Sequence, residues 1–203
     1  MELPSDTQKR LLEELAEWLE FEDSEPVDWL VCGGVALMLQ GLQSRTTRDV
    51  DVLATWNDQS VEVVCINEFT PTVVRCIQHV IEAHPELEGL DQRWINLGPA
   101  KLARDGLPNG YEQRITTIQF GDRLTLRLLG RLDLVALKLY AAADDHGARQ
   151  PIHLQDLREL RPTRDELDTA VDWIRTLSDF ELKRQELKHV ARELGYEDLA
   201  YYI

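Results

Sequence analysis

The chain has 203 residues and a formal net charge of −15, with 43% hydrophobic and 29% charged residues. That length suits one domain with a real core, or a compact domain carrying a helical appendage. The composition excludes several classes: no apolar run reaches the ~20 residues that span a bilayer, the first residues lack the basic and apolar segments of a signal peptide, and so acidic a field opposes non-specific DNA binding. It suits instead a protein that gathers divalent cations or pairs with a basic partner. The three cysteines, Cys32, Cys65 and Cys76, are odd in number and lie in apolar settings. Core thiols in a reducing, cytoplasmic compartment account for them better than a disulfide frame.

In chain order, residues 7–20 read as an amphipathic helix. Leu11, Leu12, Leu15, Trp18 and Leu19 recur at helical spacing behind Asp6, a suitable N-cap. Pro26 closes the next loop, and Val27–Cys32 is a short apolar strand. Gly33-Gly34 turns into a helix over 35–40 that Gly41 ends. Residues 50–54 form a second strand, and 72–83 a helix with Pro71 in its first turn. Residues 94–97 offer a third strand. The cluster Gly106-Leu107-Pro108-Asn109-Gly110 is a turn. Two alternating runs, 113–120 and 123–129, meet at Gly121-Asp122 as a hairpin. Beyond Arg131 the pattern is helical: 132–143, 152–160, 164–177 behind a Thr163/Glu166 capping box, and 180–194 with Gly195 as its cap. The expected class is α+β, with a small mixed sheet flanked by helices over 1–130 and a helical C-terminal subdomain over 131–203 packed on it.

The chemistry concentrates in Val31-Cys32-Gly33-Gly34-Val35-Ala36-Leu37, followed by Arg45-Thr46-Thr47-Arg48-Asp49-Val50-Asp51-Val52-Leu53. A strand that ends in two glycines and enters a helix lets the backbone approach a phosphate, with first-turn N–H groups facing it. Asp49 and Asp51, two apart on a strand, project from one face. Carboxylates that close repel unless a cation lies between them. Mg²⁺ combines a few carboxylates with phosphate oxygens at ~2.0–2.1 Å, and two such ions activate a hydroxyl and neutralise a departing pyrophosphate. Taken singly, the glycines read as an ordinary turn, the acids as a charged strand edge, and Arg45 and Arg48 as their neutralising partners.

A strand, a Gly-Gly turn, a helix and then Arg45-x-Thr47-x-Asp49-x-Asp51 in that order resembles the polymerase-beta-type nucleotidyltransferase superfamily. The nearer likeness is to bacterial stand-alone members, including the AbiEii-type toxins of type IV toxin–antitoxin systems. A second stretch is similar too: Asp133-Leu134-Val135-Ala136-Leu137-Lys138, later Arg149, then His153-Leu154-Gln155-Asp156-Leu157. The resemblance implies a nucleotidyltransferase fold with Asp49 and Asp51 as metal ligands for two Mg²⁺ ions. It implies a nucleoside triphosphate bound by Gly33, Gly34, Arg45, Thr47 and Lys138, and a catalytic set of Asp49, Asp51, Lys138 and Asp156. Lys138 stands in an apolar helix, where a solvated lysine is not expected; snorkelling is its plain alternative. Asp156 either orients Lys138, acts near the acceptor, or is a helix-surface charge.

The implied activity is transfer of a nucleoside monophosphate to a hydroxyl of RNA, protein or a small molecule, including a toxin role with an antitoxin partner. One departure stands out. The superfamily carries a third metal carboxylate on a later strand, and the candidate strand here offers Asn96, a neutral and weaker ligand; Asp91 and Asp122 are the alternatives. Two rival classes follow: a catalytically degenerate nucleotidyltransferase fold used for binding or complex formation, and an antitoxin-like acidic partner of a basic protein.

Overall fold

The computed structural model describes residues 5–43, 47–57, 62–87, 90–144 and 150–203. The chain divides into two compact units, Met1–Arg104 with Ile115–Leu129, and Asp105–Arg114 with Gly130–Ile203. Among the described residues, no helix is long and apolar enough to cross a membrane.

The first unit holds α1 (Ser5–Phe21), β1 (Val27–Cys32), α2 (Gly33–Leu39), β2 (Val50–Asn57), β3 (Glu62–Val64), α3 (Pro71–Ala83), β4 (Ile95–Asn96), β5 (Thr116–Phe120) and β6 (Leu124–Leu128), with α4 (Ala100–Asp105) at its edge. The sheet runs β3-β2-β1-β6-β5, and β4 pairs with β2. It is mixed: β1/β6 and β2/β4 are parallel, whereas β1/β2, β2/β3 and β5/β6 are antiparallel. Sheet and helices together give the α+β class and the nucleotidyltransferase-type fold.

Burial explains this arrangement. β1 is almost wholly apolar and buried from Trp29 to Cys32, as a strand with neighbours on both sides must be. Its partner β6 alternates, with Leu124, Leu126 and Leu128 buried. α1 turns Gln8, Leu11, Leu12, Leu15 and Leu19 inward, all at 0% exposure. The four leucines alone contribute roughly 6–12 kcal/mol of gross burial energy before chain entropy is counted. α3 starts where Thr70 Oγ1 accepts the Val73 N–H at 3.3 Å, with Pro71 in the first turn, and it buries Val73, Cys76, Ile77 and Val80. The β1/β2 register slips between Leu30, opposite Ala54, and Val31, opposite Val52. Leu53 is therefore the extra residue of a bulge, a feature that bends a strand.

The second unit contains a 3₁₀ turn (Tyr111–Arg114), α5 (Arg131–Ala142), α6 (Gln150–Leu160), α7 (Arg164–Ile174), α8 (Phe180–Glu193) and α9 (Glu197–Tyr202). α5 is its centre, burying Leu134, Val135, Ala136, Leu137, Leu139 and Ala142. The capping box forms: Thr163 Oγ1 accepts the Glu166 N–H at 3.2 Å, and Glu166 Oε2 accepts the Thr163 N–H at 2.7 Å. Two contacts hold Asp105–Arg114 in this unit although it precedes β5. Arg114 grips the fully buried Asp133 carboxylate, at 2.5 Å to Oδ1 and 3.0 Å to Oδ2, and the Trp173 indole donates to Gly106 O at 3.0 Å.

Several expectations need correction. The first hairpin strand begins at Thr116 rather than 113, because residues 111–114 coil into the 3₁₀ turn and send Arg114 to Asp133. β2 runs to Asn57, since its far half pairs with β3, a strand the sequence reading missed. α7 stops at Ile174, and α4 and α9 were not expected. Cys65 is exposed, unlike the core thiols Cys32 and Cys76. Trp18 is half-buried and stacks on His79 at 4.3 Å.

Candidate active site

The site-bearing end of the first unit lies where β1 finishes and β2 begins. β1 leads into Gly33, whose φ of +73° is in the left-handed region that side chains disfavour. Any Cβ there would overlap Asp51 Oδ2, and a Cβ on Gly34 would lie 2.7 Å from Thr47 Oγ1. The glycine pair therefore makes room for the two residues whose strand approach it faces. Cys32 provides no side-chain cap for α2, so no side chain satisfies the first-turn N–H groups from that position.

Asp51 is the most closely framed residue of the set. It pairs with Cys32 on β1 and with Asn96 on β4, sitting between the two strands. Asn96 Nδ2 donates to Asp51 Oδ1 at 3.2 Å. The amide's other end is also engaged: Asn96 Oδ1 accepts the Gly98 N–H at 2.9 Å. The residue on the neighbouring strand thus offers Asp51 a hydrogen-bond donor.

Asp49 stands one residue ahead of the β2 ladder, which opens at Val50, so the expectation of two acids within one strand is met only by Asp51. Arg48 Nε donates to Asp49 Oδ1 at 3.0 Å, and the Asp49 side chain is 14% exposed. Thr47 is buried against Gly34. Arg45 lies outside the described residues.

The other two candidate acids have different surroundings. Asp91 is held by Arg93, whose backbone and guanidinium both donate to it at 2.8 Å; those bonds keep its carboxyl below the usual carboxylate range. Asp122 sits in the β5–β6 turn. Leu124, just beyond it, pairs with Val27 at the start of β1, the strand end away from Cys32. Among the described residues no three His, Cys, Asp or Glu side chains are grouped to hold a metal. Two part-exposed carboxylates fit a hard cation that brings phosphate oxygens with it; they do not make an all-protein cage.

Sequence reasoning missed Gln8. Its Nε2 donates to Arg48 O at 2.6 Å and to Thr47 O at 3.4 Å, while its Oε1 accepts the Trp94 indole N–H at 2.9 Å. The available signal was a polar residue in register with the buried stripe of α1.

In the second unit, Lys138 Nζ donates to Asp156 Oδ2 at 2.6 Å, with the residues 6% and 0% exposed. Both plain alternatives fail here: Lys138 does not snorkel to solvent, and Asp156 is not a surface charge. Arg149 lies outside the described residues, and His153 is half-buried.

No curated protein and no solved structure matches the chain. A family model does, over residues 9–159, which include the Gly-Gly turn, both acids, Asn96, Lys138 and Asp156. With most of its length matched, the chain belongs to a family of nucleotidyltransferases of unknown function (DUF6036).

Proposed function

We propose that the protein is a Mg²⁺-dependent nucleotidyltransferase whose Asp49 and Asp51 hold the ion on a nucleoside triphosphate. The observation that carries this reading is Asp51, set between β1 and β4 and so close under Gly33 that no side chain fits there. A carboxylate enclosed in that way is held in position, and Gly33 leaves it the room that a side chain there would take. Bound there, Mg²⁺ would neutralise phosphate oxygens and make the α-phosphorus more electrophilic. An acceptor hydroxyl attacks that phosphorus in line, the bond to the β-phosphate oxygen breaks, pyrophosphate leaves and the hydroxyl proton passes to solvent. Thr47 packs on Gly34 and fixes the turn. Lys138 and Asp156 enter this reading through the family resemblance; within the helical unit they are a buried pair.

The likeness to stand-alone toxins favours an RNA or protein hydroxyl as acceptor in the cytoplasm, with an antitoxin as protein partner. A second reading, nucleotide binding without transfer, is favoured by Asn96, which gives Asp51 a hydrogen bond where a third acid would give a metal ligand. Incubation with labelled nucleoside triphosphates, Mg²⁺ and cell extract tests the first reading. Label should appear in RNA or protein and be lost with Asp51→Ala. Mg²⁺-dependent nucleotide binding without any labelled product would move the protein to the second reading.

A further inference from the structure

We infer that Gln8 is a positioning residue for the metal-binding acids, acting through the backbone that carries Asp49; this rests on the function proposed above. Gln8 precedes the matched stretch 9–159, belongs to α1 and is fully buried. A leucine would continue the apolar stripe around it, whereas a buried amide is costly unless its hydrogen bonds are made.

They are made, and all of them run toward the site. Only the amide nitrogen can donate to the Arg48 and Thr47 carbonyls, and only the amide oxygen can accept the Trp94 N–H, so the contacts fix one orientation. The β2 ladder starts at Val50, whose own N–H bonds to Trp94 O at 2.6 Å. Residues 47–49 lie outside any strand, so the sheet does not hold the chain that presents Asp49. Gln8 bonds to two of its carbonyls. The same side chain grips Trp94, the residue before β4, and β4 carries Asn96 opposite Asp51. Alongside the Val50–Trp94 backbone bond, this one glutamine thus ties the segment bearing Asp49 to the strand flanking Asp51. Displacements of about 1 Å in such constellations cost on the order of 100-fold in function.

The test is Gln8→Met, which keeps side-chain length and removes both hydrogen-bonding ends. Calorimetry with ATP is run twice on folded protein, once with Mg²⁺ titrated at fixed ATP and once in a chelator. The expected result is at least a tenfold loss of Mg²⁺ affinity with metal-free ATP binding unchanged. A glutamine that serves only packing lowers the melting temperature and leaves the Mg²⁺ affinity of the folded variant at the parental value; that result overturns the inference alone. A parent protein that shows no Mg²⁺-dependent ATP binding overturns both the inference and the function beneath it. Should Gln8→Met fail to fold, Gln8→Asn, which keeps the amide but shortens its reach, is read by the same two titrations.

Discussion

Replacing Lys138 by Met removes the cation that faces Asp156 across 2.6 Å in a place where the two residues are 6% and 0% exposed. Burying two charges costs several kcal/mol each, and their attraction offsets this only while both are present. Lys138→Met alone therefore leaves a carboxylate without that partner and should cost about 3–5 kcal/mol of stability. With a urea dependence of ~2 kcal/mol per molar, the midpoint falls by roughly 1.5–2.5 M. Lys138→Met with Asp156→Leu replaces the pair by apolar side chains of similar volume and should recover most of that loss, a coupling measured by the double-mutant cycle. The assay is urea denaturation followed by circular dichroism. A single variant that loses under about 1 kcal/mol, or a double variant as unstable as the single, refutes the buried-pair reasoning. Nucleotide binding by the restabilised double variant then separates packing from chemistry. A Lys138 that also meets a polyphosphate leaves the double variant stable but weak in binding.

Two other expectations follow from the first unit. Asn96→Asp turns a hydrogen-bond donor toward Asp51 into a like charge, so thermal stability without metal should fall and the stabilisation by Mg²⁺ with ATP should grow; equal metal stabilisation in parent and variant contradicts this. His84 lies 2.6 Å from Glu14 and 3.1 Å from Glu86, and the Glu14 hydrogen bond, ahead of Glu86, raises its pKa above the usual 6.5. The contribution is fully present below that value and is lost as pH rises through the folded-state pKa. His84→Gln should therefore cost more stability at pH 5.5 than at pH 8.5 in denaturation measured at both; an equal cost at the two pH values contradicts the assignment.

Much of the fold was legible because its signals are local. β1 runs over Val27–Cys32 as its apolar run suggests, α3 starts at Pro71 behind Thr70, and the Thr163/Glu166 box caps α7. The hairpin turns at Gly121, where φ is +57°. What escaped is what depends on partners distant in sequence. β3 has three residues and exists only by pairing with β2. For Asp156 the sequence leaves three readings open, and only its burial against Lys138, 18 residues earlier, removes the surface-charge one. The glycines, Thr47 and the two acids were readable from their order, and Asn96 from its strand. Gln8 was not, because its partners Arg48 and Trp94 lie 40 and 86 residues away.

In the proposed function Asp49 and Asp51 grip a metal–nucleotide complex beside Gly33. Isothermal titration of ATP into parent protein and into Asp49→Ala/Asp51→Ala, with and without Mg²⁺, tests that most directly. The parent should bind ATP tightly only when Mg²⁺ is present, and the double variant should lose the Mg²⁺-dependent part entirely while remaining folded. A double variant that binds Mg²⁺–ATP as tightly as the parent contradicts the account.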